Sequence, residues 1–127
     1  MADQPVVPML HVPNVRETVD WYTSIGFSVL NTFDDDGDGM TFAVLAYRGS
    51  QLFVNAGGRA SNGEDRRDVD LYITTDDVER LYADLKGRVE IRRAPENTFY
   101  GTREFSVRDL NGFSIIFGQD LPDPATV

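Results

Sequence analysis

The order of predicted elements repeats once along the chain, and this repeat constrains the fold more than any other feature. Two segments have helical apolar spacing, "NVRETVDWYTSIGF" and "DDVERLYADLKGRV". Each is preceded by one strand-like segment and followed by three. A polar, Gly-rich stretch, "GGRASNGEDRRD", separates the halves. We therefore predict two βαβββ modules, at about 6–56 and 68–119, joined by a loop at 57–67.

Both helical segments carry signals for their ends. Asn14 is followed three residues later by Glu17, which is the spacing of a capping box, and Gly26 is a natural stop. In the second segment Asp76 precedes Glu79 by the same spacing, although the neighbouring Asp77 corresponds to Asn14 in the repeat. These signals predict one helix in each module.

The predicted element order also fixes the fold class. A βαβββ module forms a mixed, curved sheet with a helix on one face, so its other face needs a partner. We predict an α+β fold in which two modules, or two chains, enclose a cleft between curved sheets. In the turn "DLNG", between the last two strands, the side chain of Asp109 is expected to fix the backbone.

Composition excludes several classes of function. The chain has 127 residues, which is enough for one domain with a real core, and no cysteine, which excludes disulfides and thiolate metal sites. The net charge of −9 argues against nucleic acid as a partner. It fits either a cationic ligand or a surface that is acidic for solubility. No signal peptide or membrane span is evident, so a cytoplasmic protein with no membrane partner is predicted.

The acidic stretch "FDDDGDGM" resembles the start of a calcium loop. Asp34, Asp36, Asp38 and Gly39 match its first positions. The twelfth position, which must supply a bidentate Glu, is Leu45, and strands rather than helices flank the stretch. Calcium is therefore disfavoured, and two interpretations stay open: a solvated hairpin turn, or the acidic rim of a binding site.

The sequence offers no catalytic constellation. His11 is the only histidine, so a 2-His-1-carboxylate metal site is impossible, and no G-x-S-x-G elbow is present. Arg103, Glu104 and Arg108 are expected to form cross-strand ion pairs on a sheet. No catalytic residue is assigned.

Two segments resemble motifs of the vicinal oxygen chelate superfamily, which comprises glyoxalases, bleomycin-resistance proteins and dioxygenases. "VPNVRETVDWYTSIGF" is similar to the opening motif, and "YGTREFSVRDLNGFSIIF" is similar to the closing motif. The closing motif departs at Leu110, where the family usually has proline. The whole chain fits the two modules of this family, and within the family its sequence most resembles the bleomycin-resistance proteins.

The resemblance implies a member without metal. The positions at which the metalloenzymes of the family hold their ligands fall near Val7, Phe53, Asp70 and Ile116, and three of these four residues are apolar. We therefore expect no metal ligand and no cofactor.

The resemblance also implies where a ligand would bind. In the resistance proteins an aromatic residue before a glycine stacks on the planar rings of the drug, and Tyr100 fits that position, with Phe99 beside it. Their acidic loop after the second strand overhangs a groove at a two-fold dimer interface. The candidate ligand-binding residues are Phe33, Asp34, Asp35, Asp36, Asp38, Phe53, Tyr72, Phe99, Tyr100 and Phe105.

These observations predict a homodimer that sequesters a small, planar, cationic ligand in clefts at its interface. A glycopeptide antibiotic of the bleomycin type is the ligand that the resemblance implies, with binding rather than turnover as the function. Two alternatives remain: a metal-dependent enzyme of the glyoxalase or dioxygenase type, and a binder of another metabolite.

Overall fold

The structure is a computed structural model that describes residues 6–35, 39–59 and 67–122. Within these ranges the elements follow the predicted order, with one helix and four strands in each half. The chain divides into two compact units, Met1–Ser61 and Asn62–Val127. Neither helix in the described ranges is long and apolar enough to cross a membrane.

The first unit consists of a four-stranded mixed sheet and a helix. The sheet has the order β1-β4-β3-β2, in which β1 is parallel to β4 and the other pairs are antiparallel. Its elements are β1 (Met9–Val12), α1 (Val15–Ser24), β2 (Ser28–Asp35), β3 (Gly39–Tyr47) and β4 (Ser50–Ala56).

The second unit repeats this topology. Its sheet has the order β5-β8-β7-β6, with β5 parallel to β8. The predicted α+β fold with two mixed sheets is therefore confirmed. The elements of the unit are β5 (Leu71–Thr74), α2 (Val78–Leu85), β6 (Glu90–Asn97), β7 (Thr102–Arg108) and β8 (Ser114–Asp120).

The first helix begins and ends as predicted. The Asn14 side chain accepts a hydrogen bond from the backbone N–H of Glu17 at 2.9 Å, which satisfies one of the free donors of the first turn. Ile25 caps the other end, and Gly26 follows with φ +115°, a left-handed conformation that glycine adopts without strain.

The second helix begins one residue later than its capping-box spacing predicts. Its N-cap is Asp77, which accepts from the backbone N–H of Arg80 at 3.1 Å. The predicted box of Asp76 and Glu79 is therefore wrong, and the alternative that Asp77 corresponds to Asn14 is correct. Glu79 lies in the first turn of the helix, and its carboxylate pairs with an arginine of β7.

The turn between β7 and β8 is fixed by a buried carboxylate, as predicted. Asp109 is 2% exposed and accepts from the backbone N–H groups of Asn111 at 2.8 Å and Phe113 at 2.9 Å. The guanidinium of Arg67 lies over the Phe113 ring and donates to the Asn111 carbonyl at 3.1 Å. Backbone N–H groups and a backbone carbonyl of the buried turn therefore all have hydrogen-bond partners.

Each sheet buries one face against its own helix. Side chains alternate along a strand, so every second residue points to the core and the others point to the opposite face, here called the helix-free face. On β7, Phe105 and Val107 are buried under α2, whereas Glu104 and Ser106 lie on the helix-free face. That alternation positions the groups described next.

Candidate functional site

A groove of about 800 Å³ lies on the helix-free face of the second sheet. This volume is within the range that holds drug-sized ligands. The groove is lined by residues of the second unit, and it combines charge of both signs with aromatic rings. The charged residues are Asp70, Arg92, Arg93, Glu96 and Glu104, and the exposed aromatic residues are Phe99 and Tyr100.

The hairpin turn between β6 and β7 carries the two aromatic rings. Thr98 and Thr102 close this turn, because the Thr98 N–H donates to the Thr102 carbonyl at 2.8 Å and their hydroxyls lie 2.8 Å apart. Gly101 completes it with φ +96°. The turn leaves Phe99 100% exposed and Tyr100 57% exposed, with the two rings perpendicular and their centroids 5.1 Å apart.

One carboxylate in the groove is held by three hydroxyl groups. Glu104 Oε2 accepts from Tyr72 at 2.7 Å, from Tyr100 at 3.0 Å and from Thr102 at 2.9 Å. The single proton of Tyr100 is shared with the other carboxylate oxygen, Oε1, which lies 2.9 Å from the Tyr100 hydroxyl. These four residues are here called the Glu104 cluster, and together they hold the carboxylate in one orientation.

A glycine makes room for this arrangement. Tyr72 lies on β5 and Glu104 on β7, so the tyrosine must reach across β8, which separates the two strands. It crosses at Gly118, where a Cβ atom would lie 2.6 Å from the Tyr72 Cζ atom and closer still to its hydroxyl. Any side chain at this position would displace the ring.

The cluster perturbs the acidity of its members. Burial raises the pKa of Tyr72 to about 12, and its hydrogen bond to the Glu104 carboxylate acts in the same direction. The hydrogen bond to Glu104 also raises the pKa of Tyr100. Burial alone would raise the pKa of Glu104, but the three hydroxyl donors outweigh it and hold that pKa below its ordinary value. Near neutral pH the cluster is therefore one carboxylate with two neutral phenols.

The expected ion pairs along β7 are only partly correct. Arg108 does face Glu90 across the strand pair, at 3.9 Å. Arg103 instead pairs with Glu79 of α2, and Glu104 bonds to hydroxyls. The alternation of side chains explains the difference, because neighbouring residues on one strand point to opposite faces of the sheet.

Phe105, one of the predicted ligand-binding residues, has its ring in the core of the second unit. Its strand borders the groove, but its side chain points to the helix and is 1% exposed. The ring stacks on Phe117, with centroids 5.0 Å apart, and packs edge-on against Tyr82 at 5.3 Å. The structure therefore places this ring on the side of the sheet that faces the helix, with almost no surface exposed.

Two other predicted residues meet in a row of rings in the first unit. Phe33 and Phe53 both pack against Phe42, with centroid distances of 5.7 and 5.3 Å, and Phe33 is 49% exposed. Asp34 follows Phe33 on β2 and is exposed. Phe42, which was not among the candidate ligand-binding residues, lies opposite Phe33 across the β2–β3 pair.

Part of the predicted acidic rim cannot be placed. Asp36 and Asp38 lie outside the described residues, as does the side chain of Asp35. The backbone of Asp35 pairs with Gly39, so β2 extends into the acidic stretch.

The positions that hold metal in the family's enzymes do not form a donor set here. Asp70 and Ile116 both line the groove of the second unit, while Val7 and Phe53 lie in the first unit. Only Asp70 has a ligating side chain. Within the three described ranges, no group of three His, Asp or Glu side chains is placed to share a metal ion. A transition metal needs several converging donors, so these residues do not fit one.

The fold defines a class of proteins built from paired βαβββ units, each with a mixed sheet and a helix on one face. The sequence model of the Glyoxalase/Bleomycin resistance protein/Dioxygenase superfamily matches residues 5–117, and the chain belongs to this superfamily. No curated protein matches the sequence.

Solved structures with the same fold include several members of this class. TioX from Micromonospora sp. ML1 is 22% identical with a TM-score of 0.75, over 91% of this chain and 98% of that one. A glyoxalase/bleomycin resistance protein/dioxygenase from Alicyclobacillus acidocaldarius is 18% identical with a TM-score of 0.74, over 98% and 96%. A bleomycin-binding protein complexed with bleomycin is 18% identical with a TM-score of 0.70, over 92% and 98%. At these identities the likeness concerns the fold.

Proposed function

We propose that this protein captures a small, planar, cationic molecule in the groove of the second sheet and holds it without chemical conversion. One observation carries the proposal: a fixed carboxylate, Glu104, stands beside the exposed rings of Phe99 and Tyr100 in a groove of drug-sized volume. An antibiotic of the bleomycin type is the specific ligand proposed. The bleomycin-binding protein that shares the fold supports this choice.

The exposed rings supply a reason for a ligand to enter. Phe99 displays its whole side chain to solvent at the tip of a turn, which leaves a large apolar surface without cover. Stacking a planar ring on such a side chain contributes about 0.5–1.5 kcal/mol beyond the apolar area it buries. A cation placed over the neighbouring Tyr100 ring is attracted by the negative charge on the ring face.

The chemistry of the groove favours binding over turnover. A lowered pKa and hydrogen bonds from three hydroxyl groups make Glu104 a poor general acid, although they suit a permanent negative charge. The family's metal positions hold one ligating side chain, Asp70, so we place no metal step here. Retention of a drug by such a site would protect its targets by sequestration.

We also propose that the binding unit is a homodimer. The groove lies on a sheet face that is not covered by the helix of its unit, and a second copy would complete its walls. The support is the resemblance to the resistance proteins, whose clefts lie at a two-fold interface. Sedimentation analysis tests this part separately, and a monomer at micromolar concentration that still binds ligand would contradict it.

Calorimetric titration with bleomycin and phleomycin tests the ligand. We expect saturable binding, and Phe99→Ala should weaken it about tenfold without loss of stability, since the side chain is fully exposed. Leu30→Ala is the matched control, because it removes a 55% exposed apolar side chain from the first unit. Absence of binding at tens of micromolar would end the drug assignment, and stoichiometric metal in protein purified without chelator would favour the enzyme alternative.

A further inference from the structure

The two oxygens of the Glu104 carboxylate accept different numbers of hydrogen bonds. Oε2 accepts hydrogen bonds from Tyr72 and Thr102, whereas the single proton of the Tyr100 hydroxyl is shared, with the hydroxyl 2.9 Å from Oε1 and 3.0 Å from Oε2. A carboxylate oxygen has about two lone-pair positions. Oε2 is therefore saturated, and Oε1 retains the capacity to accept one more hydrogen bond.

The cluster fixes this remaining acceptor in advance. Three hydroxyl groups from β5, from the β6–β7 turn and from β7 itself restrain the carboxylate, so little side-chain entropy is lost when a ligand binds. The Tyr100 ring lies close to the same oxygen, because its hydroxyl is one of the donors. A cation bound at Oε1 therefore has an aromatic ring nearby.

The other charges of the groove leave the balance negative. Arg93 and Glu96 form an ion pair at 3.0 Å and offset one another. Counted over all five charged residues that line the groove, three carboxylates stand against two guanidinium groups. A cation is thus favoured over an anion even before a specific contact is made.

We infer that Glu104 makes the groove selective for cations that carry N–H donors, such as amidinium, guanidinium or primary ammonium groups, over quaternary ammonium and over neutral amides. A quaternary ammonium can lie against the Tyr100 ring, but it has no hydrogen to donate to Oε1. A neutral amide can donate, but its bond lacks charge assistance. Only an N–H cation makes both interactions. This inference rests on the proposed function and names the chemical class of its ligand.

Three small planar probes separate these contributions: benzamidinium, phenyltrimethylammonium and benzamide. Each is titrated into the full chain, and affinities are read from amide chemical shifts. For the unaltered protein we expect benzamidinium to bind about tenfold more tightly than either of the others, which is the size of one charge-assisted hydrogen bond. Equal affinities for benzamidinium and phenyltrimethylammonium would overturn the inference, as would absence of binding by all three probes.

Two variants assign the preference to Glu104. Glu104→Gln keeps the shape of the side chain and an oxygen for the hydroxyls but removes the charge, so the preference for benzamidinium should disappear. Glu17→Gln removes the same charge from an exposed position on α1 and should keep the preference. A preference that survives in Glu104→Gln would overturn the inference. Should that variant fail to fold, the probe comparison in the unaltered protein still decides.

The failure of this inference can be told from the failure of the proposed function. If bleomycin binds Glu104→Gln as tightly as the unaltered protein, the inference is wrong and capture of the drug stands. If bleomycin does not bind but benzamidinium is preferred in a Glu104-dependent manner, the selectivity is correct and the drug assignment is wrong.

Discussion

Replacement of Gly118 by alanine is expected to break the hydrogen bond between Tyr72 and Glu104 while the second unit stays folded. A Cβ atom at this position would lie 2.6 Å from Tyr72 Cζ, whereas carbon atoms in contact stand about 3.5–4.0 Å apart. The ring must therefore move by about 1 Å or more. The hydroxyl, now 2.7 Å from Glu104 Oε2, would leave hydrogen-bond range.

The cost in stability should be small because two effects oppose each other. A hydrogen bond to a charged group contributes about 1.5–3 kcal/mol when buried, and about 1 kcal/mol is a fair value for this partly exposed site. Alanine in place of glycine within a strand regains about 0.5–1 kcal/mol of chain entropy. The group that must yield is the end of a flexible side chain rather than the backbone. We expect the free energy of unfolding to change by less than about 1 kcal/mol.

The acidity of Tyr72 provides the direct readout. Its pKa of about 12 should fall toward the ordinary value of 10.0 in Gly118→Ala, because both burial and the hydrogen bond to Glu104 are reduced. NMR of ring-labelled tyrosine, followed from about pH 9 to about pH 12, measures this change. Gly87→Ala is the matched control, since a Cβ atom there meets nothing within 4 Å. An unchanged Tyr72 titration in Gly118→Ala would show that the absence of a side chain at this position is not what allows Tyr72 to reach Glu104.

Three further predictions concern stability. Asp109→Ala leaves the buried N–H groups of Asn111 and Phe113 without their acceptor and should cost about 3 kcal/mol in urea denaturation; a loss below about 1 kcal/mol would show that the backbone fixes the turn alone. Leu85→Ala empties a fully buried site under the second sheet and should cost about 2–5 kcal/mol, and a loss typical of exposed positions would contradict the packing described. Because the folded-state pKa of Glu104 is lowered, the stability it contributes is present above its unfolded pKa and is lost as the pH falls through the folded value. The difference in unfolding free energy between the unaltered protein and Glu104→Gln should therefore shrink on acidification, and a constant difference would contradict the assignment.

The fold could be predicted because its signals are local. The cap at Asn14, the stop at Gly26 and the turn at Asp109 each act over a few residues, so the sequence shows them directly. The one error in a helix start, at Asp76, arose because two adjacent aspartates offer alternative caps. The spacing to the next glutamate does not distinguish these two aspartates, whereas alignment of the second module with the first selects Asp77.

The site could be predicted only in part because it depends on contacts between distant residues. Phe99 and Tyr100 were found through the resemblance, and both lie at the groove. The role of Glu104 was missed, since Tyr72 is 32 residues away in the chain and reaches it only through the order of strands β5, β8 and β7. The burial of Phe105 could not be predicted, because phenylalanine occurs both in ligand sites and in cores, and only the direction of the side chain distinguishes the two.

Shift mapping of bleomycin onto assigned backbone amides is the most direct test of the central claim that the groove of the second sheet binds the ligand. We expect saturable shifts concentrated in the turn at 98–101 and along β7, with one dissociation constant for all of these amides. Glu104→Gln should bind bleomycin more weakly. Shifts confined to the first unit, or no shifts at all, would contradict it.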